Sequence, residues 1–242
     1  MLRLLRRVKG MNEQEFDKFA DEYLDMHRKN IRLSGEEPDF FSYYKVKDLV
    51  DGWARTNPDR SPAHILDFGG GTGGSAPHMR RLFPDSNITL ADVSRRSLEI
   101  ARSCGIKRLN ALCFDGKILP LKDDSFDIGL AACVFHHIPE ECHIHLLSEI
   151  RRVLKPGGQL FVFEHNPWNP FTVHAVNTCP FDKNAILIAA PKMRERMQAA
   201  GFSNVAVTYR LFFPGPLRRL RGLEPWLGRL AVGAQYRSVG AA

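Results

Sequence analysis

Five glycines fall within the six positions 69–74, broken only by Thr72, directly after Ile65-Leu66-Asp67-Phe68. The apolar run before them has the composition of a strand buried on both faces. The glycines then demand a sharp turn and a close approach of bare backbone. A helical stretch follows from Ser75, so the unit reads strand, glycine loop, helix. Such a loop in front of a helix N-terminus suits a nucleotide-like ligand. Two templates fit the same letters. Gly69, Gly71 and Gly74 satisfy G-x-G-x-x-G, the dinucleotide fingerprint. Asp67, Gly69, Gly71 and Gly73, with Thr72 inside the turn, satisfy D-x-G-x-G-x-G. A carboxylate entering the turn repels a pyrophosphate but can hold a cationic amino group, directly or through water.

The chain has 242 residues, which predicts one α/β domain large enough to bury a sizeable core. Residues 1–62 read as a basic arm and covering helices, and residues 63–242 as the core. No apolar run approaches the ~20 residues of a membrane span, and residues 1–10 have too short an apolar stretch, and no cleavage site, for a leader. The five cysteines show no C-x-x-C pairing and read as reduced thiols of a cytoplasmic protein. The net charge of +7 sits at the ends, with +4 in residues 1–10 and +5 in residues 210–242, leaving a slightly acidic body. A nucleic-acid surface would have to combine both ends, so none is expected. Peripheral contact with the inner face of an anionic membrane stays open for these basic ends.

Residues 87–94 form a second strand ending in an acid. Asp92 lies 23 residues after Gly69, where a carboxylate accepts from ribose hydroxyls, with Val93 beside it. An unphosphorylated ribose is common to both candidate cofactors, so Asp92 does not choose between them. Lys45, on a helix expected over residues 40–54, is a candidate partner for a cofactor carboxylate. A third strand, 111–114, precedes Asp115-Gly116. Leu119-Pro120 and Ser125-Phe126-Asp127 then run into an apolar strand, 128–134, that contains Cys133. Pro156-Gly157-Gly158 redirects the chain into a fifth strand, and residues 205–213 and 234–239 read as the sixth and last. Pro214-Gly215-Pro216 opens an arginine-bearing amphipathic helix.

Asp67 with its glycines, the segment from Asp115 through Leu119-Pro120 to Ser125-Phe126-Asp127, and Leu154-Lys155-Pro156-Gly157-Gly158 together resemble the class I S-adenosylmethionine (SAM)-dependent methyltransferases. The likeness covers about residues 63–213 and points to the small-molecule branch, including the ubiquinone/menaquinone-biosynthesis type. It implies an α/β, Rossmann-like, seven-stranded and mostly parallel sheet, the last strand antiparallel, with helices on both faces. It implies SAM as cofactor, Asp115 on the adenine amino group, and Phe114 or Gly116 against the ring, with Val93 and Cys133 as further cofactor contacts. Tyr23, on an N-terminal helix whose stripe includes Phe16 and Phe19, would close over the pocket. His136 and His137 would stand beside the methyl-transfer centre, with His137 as a general base. Adjacent histidines chelate one ion poorly, so no metal is expected. His165, Asn166 and Trp168 open a loop over 164–190 and are candidate acceptor contacts. Gly70 departs from the family, where cysteine is common. The expected reaction moves a methyl group to an oxygen, nitrogen or carbon of a small-molecule or lipid-linked acceptor. A non-catalytic SAM-fold binding protein and an NAD-dependent oxidoreductase are the rival classes.

Overall fold

The computed structural model describes Asp17 and residues 20–242. Seven strands form one sheet: β1 His64–Phe68, β2 Asn87–Asp92, β3 Leu109–Cys113, β4 Phe126–Ala132, β5 Leu154–His165, β6 Ser203–Arg210 and β7 Gln235–Ala241. Their order is β3-β2-β1-β4-β5-β7-β6. The first five run parallel, and β7 inserts antiparallel between β5 and β6.

The period of two along each strand divides the core. Ile65, Ile128, Leu130, Phe161 and Phe163 pack to one side with Val46, Leu49 and Met79. Leu66, Phe68, Ala131, Leu160 and Val162 pack to the other with Leu146, Ile150 and Met197. The first face is covered by α2 Pro38–Thr56, α3 Ala76–Leu82 and α4 Arg95–Ser103, the second by α5 His143–Val153 and α7 Ala190–Ala199. Both faces of a parallel sheet are thus dry, which is why β1 reads as a nearly continuous apolar run. Asp67 is the exception in that run, and it is buried.

Two acids that interrupt apolar stretches have structural work. Asp127 takes the amides of Ala63 (2.9 Å) and His64 (3.0 Å) and the Lys155 ammonium (2.9 Å), fixing where β1 and β4 begin. Burial pushes its carboxyl up, but Lys155 and those amides more than reverse the effect and hold it low. Asp48 on α2 receives both Arg210 (2.7 and 2.8 Å) and Arg237 (2.8 Å), clamping that helix to β6 and β7. Lys45, one turn earlier, is thereby carried toward the carboxyl ends of the strands.

Three segments differ from the sequence expectation. The helix expected after Pro214 is a 3₁₀ run, Gly215–Leu223, followed by a four-residue helix, α8 Glu224–Leu227. Pro216, Gly222 and Pro225 remove the donors and rigidity that a continuous α-helix needs. The stretch after β5 holds a helix, α6 Pro170–Thr178, because the Asn169 side chain caps it by accepting from the Thr172 amide (3.0 Å). The fifth strand, expected to follow Pro156-Gly157-Gly158, starts before them at Leu154, with a register shift between Phe126 and Ile128 of β4. An N-terminal helix, α1 Tyr23–Asn30, precedes α2. Phe16, Phe19 and the Tyr23 side chain lie outside the described residues. No helix among the described residues is long and apolar enough to cross a membrane.

Candidate functional site

A cavity of about 1110 Å³ opens at the carboxyl ends of β1, β2, β4 and β5, where the sequence places its glycine loop and histidines. Open α/β sheets bind ligands at this end. The volume exceeds that of a typical drug-sized pocket, so there is room for two small molecules side by side.

One half is built by the glycine loop. Gly69 has φ +69°, and a Cβ there would stand 2.6 Å from the Val134 methyls, so only glycine fits. Gly71, at φ +53°, faces open space and donates its amide to Asp92 Oδ2 (2.8 Å). Asp92 Oδ1 accepts from the Ser94 amide (2.8 Å), so one carboxylate shapes both the loop and the entry to α4. Thr72, Val93 and Lys45 also line this half. Gly73 lies outside the wall and serves the turn, donating to the Gly70 carbonyl at 2.9 Å.

Asp67 is 1% exposed, and its Oδ2 has no hydrogen-bond partner among the described residues. Burial first, and then the neighbouring Asp92 charge, push its carboxyl up to about 7 despite the opposing pull of Lys45. A buried acceptor without a donor is costly, on the order of 1–3 kcal/mol, and this one adjoins the cavity at the glycine loop. The site fits a ligand that brings a cation there.

The other half is aromatic and rich in histidine. Phe40, Phe41, Phe171, Phe181, Phe212 and Phe213 contribute to its wall, as do His27, His136, His137, His165 and His174. Glu164, at the end of β5, is fully buried and takes the amides of Val134 (3.1 Å) and Phe135 (2.7 Å). Its other oxygen meets His136 Nδ1 at 2.5 Å. Burial alone would lower the His136 pKa, but Glu164 and then Asp182 outweigh it and raise it to about 10, so His136 is a cation at neutral pH. His137 moves the opposite way, lowered first by burial and then by the His136 charge, and is neutral. Asp182 Oδ1 lies 3.3 Å from His137 Nε2 and 3.8 Å from His136 Nε2. Burial would raise Asp182, but the two histidines beside it dominate and keep it ionised.

Between the halves stands Cys133, with φ +59°, a strained conformation for a residue with a side chain. Its Sγ is 3.3 Å from Lys45 Nζ. Burial raises the thiol, yet Lys45 and His165 pull it below its usual value, to about 7.

Two expected acceptor contacts are corrected. Asn166 is fully buried and does not face the cavity. Its Nδ2 donates to the carbonyls of Ala231 (3.0 Å) and Gly233 (2.8 Å), and its Oδ1 accepts from the Trp168 amide (3.1 Å). Trp168 points outward and stacks near Tyr209, ring centroids 6.4 Å apart. Replacing Asn166 with alanine should therefore cost about 1–3 kcal/mol, since it strands buried carbonyls. Urea unfolding should show that loss while ligand affinity at the glycine loop stays within twofold. His165 does line the cavity.

Phe114, Asp115 and Gly116 stand at the end of β3, outside the cavity wall. Phe114 packs on Phe68, and Asp115 Oδ1 takes the amides of Lys117 (2.9 Å) and Ile118 (3.0 Å). Asp182 and Glu164 were not singled out from sequence. Cys179-Pro180-Phe181-Asp182 is conspicuous in composition, but nothing local says that Asp182 reaches two histidines 45 positions earlier.

Residues 66–162 match the family model described as a methyltransferase domain. The chain is 30% identical over 196 residues to the ubiquinone/menaquinone biosynthesis C-methyltransferase of Cupriavidus taiwanensis, covering 73% of this chain and 79% of that one. It is 30% identical over 126 residues to a phthiotriol/phenolphthiotriol dimycocerosates methyltransferase of Mycobacterium ulcerans, covering 51% and 46%. Across such curated relatives, the chain spans from about half to about four fifths of their length. A SAM-dependent methyltransferase structure from Thermotoga maritima shares the fold at a TM-score of 0.63 and 23% identity, covering 94% of this chain and 98% of that one.

Proposed function

The chain belongs to the class I SAM-dependent methyltransferases, and we propose that within that family it methylates a hydroxylated ring carried on an apolar, lipid-like tail. The observation that carries the reading is the division of one cavity into a carboxylate-and-glycine half and an aromatic half with a neutral histidine.

SAM, when bound, supplies an electrophilic methyl on a sulfonium. Asp67 would receive its amino group, which answers the unpartnered Oδ2, and Asp92 would receive its ribose hydroxyls. Lys45 would receive its carboxylate. The glycine amides let the backbone approach. In the second half, the phenylalanines exclude water and hold a flat ring by stacking and edge contact, with geometry worth about 0.5–1.5 kcal/mol per aromatic pair. Alignment of this kind can remove about 7–11 kcal/mol of barrier.

A phenolic hydroxyl must lose its proton as its oxygen, or a ring carbon conjugated to it, bonds to the methyl. Neutral His137 is the group we assign to take that proton, with Asp182 beside it to stabilise the imidazolium formed. His136, held as a cation by Glu164, adds a positive charge near the oxygen that becomes negative. The relatives, a quinone-biosynthesis C-methyltransferase and a dimycocerosate methyltransferase, support an acceptor with a long apolar part.

Labelled SAM incubated with lipid extract, and separately with short-chain hydroquinones, tests the reading. Label should enter a chloroform-soluble phenolic product. Because burial and His136 keep the His137 pKa below its usual ~6.5, the rate should rise with pH in the acid range and level off before neutrality. His137→Asn should lower kcat roughly 10²–10⁴-fold while leaving SAM affinity intact. Label confined to polar amines, or a His137→Asn rate equal to the parent's, would overturn the assignment.

A further inference from the structure

Among the described residues, seven of the eleven large apolar side chains left in solvent are Phe171 and six within residues 217–232, and Phe171 and Val232 line the cavity. Leu220 and Leu223 lie three apart in the 3₁₀ run, a spacing that brings positions onto one edge, and Leu217 is exposed at the kink that precedes them. Trp226 is 82% exposed and Leu230 follows it, while Phe171, 81% exposed, projects from the start of α6. The Asn169 side chain ties the start of α6 to the Val232 carbonyl at 2.8 Å, joining the helix of Phe171 to the segment that carries Leu230 and Val232.

The surface is anchored from below. Glu224 Oε1 accepts the amides of Phe212 (3.1 Å) and Phe213 (3.2 Å). Arg221 turns inward to Glu36 (2.6 Å), with its guanidinium 4.4 Å above the Phe40 ring. Arg218, Arg219 and Arg229 remain exposed among the leucines. Glu224, the one acid in residues 210–242, is engaged below them. Phe171, Phe213, Arg221 and Val232 also line the cavity, so these segments adjoin it.

We propose that this face docks the enzyme on an anionic lipid bilayer, inserting Trp226 and the leucines while the arginines meet the headgroups. Large apolar side chains with arginine on the same surface are the composition of an interfacial anchor. A second copy of the chain is a poorer occupant, since a symmetric pairing would set these arginines against one another. With the mouth on the bilayer, an acceptor's ring can enter while its tail stays in lipid. That benefit rests on the acceptor reading, whereas the vesicle test needs no acceptor, so either can fail alone.

Full-length protein is mixed with phosphatidylglycerol-containing vesicles and with pure phosphatidylcholine vesicles and sedimented. Three arginines at the surface should favour the anionic vesicles by on the order of a hundredfold, and high salt should shrink the preference. The Arg218→Glu/Arg219→Glu variant should abolish it. In a Trp168→Phe background, brominated lipids should quench tryptophan emission, and adding Trp226→Phe should remove most of that quenching, since the remaining Trp53 is buried. Calorimetric binding of S-adenosylhomocysteine to each variant should match the parent, which shows that its fold is intact. Equal binding to both vesicle types, no quenching, or a concentration-dependent dimer that shields Trp226 would overturn the proposal.

Discussion

Replacing Glu164 with alanine is expected to lower stability by about 3–5 kcal/mol, the cost of breaking a buried ion pair from one side. The carboxylate satisfies two backbone amides and the His136 ring from a fully buried position. Its loss leaves all three without an acceptor in the turn that carries the site. Glu164→Gln separates shape from charge, because an amide oxygen can still take the Val134 and Phe135 amides. The pH dependence carries the sharper signature. His136 has its folded pKa raised to about 10 from an unfolded value near 6.5. The stability it contributes is fully present below pH ~6.5 and is lost as pH rises through about 10. Cys133, lowered to about 7, adds a slope of opposite sign as pH rises from there to its unfolded value near 8.5. The difference between parent and Glu164→Gln therefore isolates the pair. Urea midpoints should converge as pH rises from 6.5 to 10. Parallel curves would mean that His136 is not the titrating partner.

The sheet was legible because its causes are local. Alternating faces of β1, β4 and β5 and the Gly69 turn are written in adjacent residues, and Asp92 in a fixed spacing. The glycine half of the site follows from the same short-range grammar. The other half does not, since its carboxylates become site residues only when the sheet brings distant strand ends together. Glu164 looks like an ordinary strand-end acid until β5 lies beside β4. Asn166 misleads for the same reason. A polar residue on the ligand side of a sheet suggests a contact, but its three hydrogen bonds all go to backbone of residues 168, 231 and 233. The 3₁₀ segment shows the reverse failure. Its leucine spacing fits an amphipathic helix, yet Pro216, Gly222 and Pro225 impose a tighter winding that leaves those leucines in solvent.

Asp92→Ala should weaken S-adenosylhomocysteine binding on the order of 10²-fold or more, as hydrogen bonds to a charged group contribute about 1.5–3 kcal/mol each and a ribose offers two hydroxyls. The same change frees the Gly71 amide, so the loop loses the contact that shapes it. Asp67 should act differently. Its carboxyl titrates near 7 in the free protein, and only the ionised form can hold a ligand ammonium. Affinity should therefore rise about tenfold between pH 6 and 8, with proton release when binding occurs near neutrality. Asp67→Asn should flatten that profile. 5′-Methylthioadenosine keeps the ribose but lacks the amino acid, so its binding should be flat over this pH range and still depend on Asp92. Calorimetry of the two ligands against the two variants thus assigns each carboxylate to its own end of the cofactor. A pH-independent affinity for S-adenosylhomocysteine would mean that the ammonium is held elsewhere and that the unpartnered Asp67 oxygen has another cause.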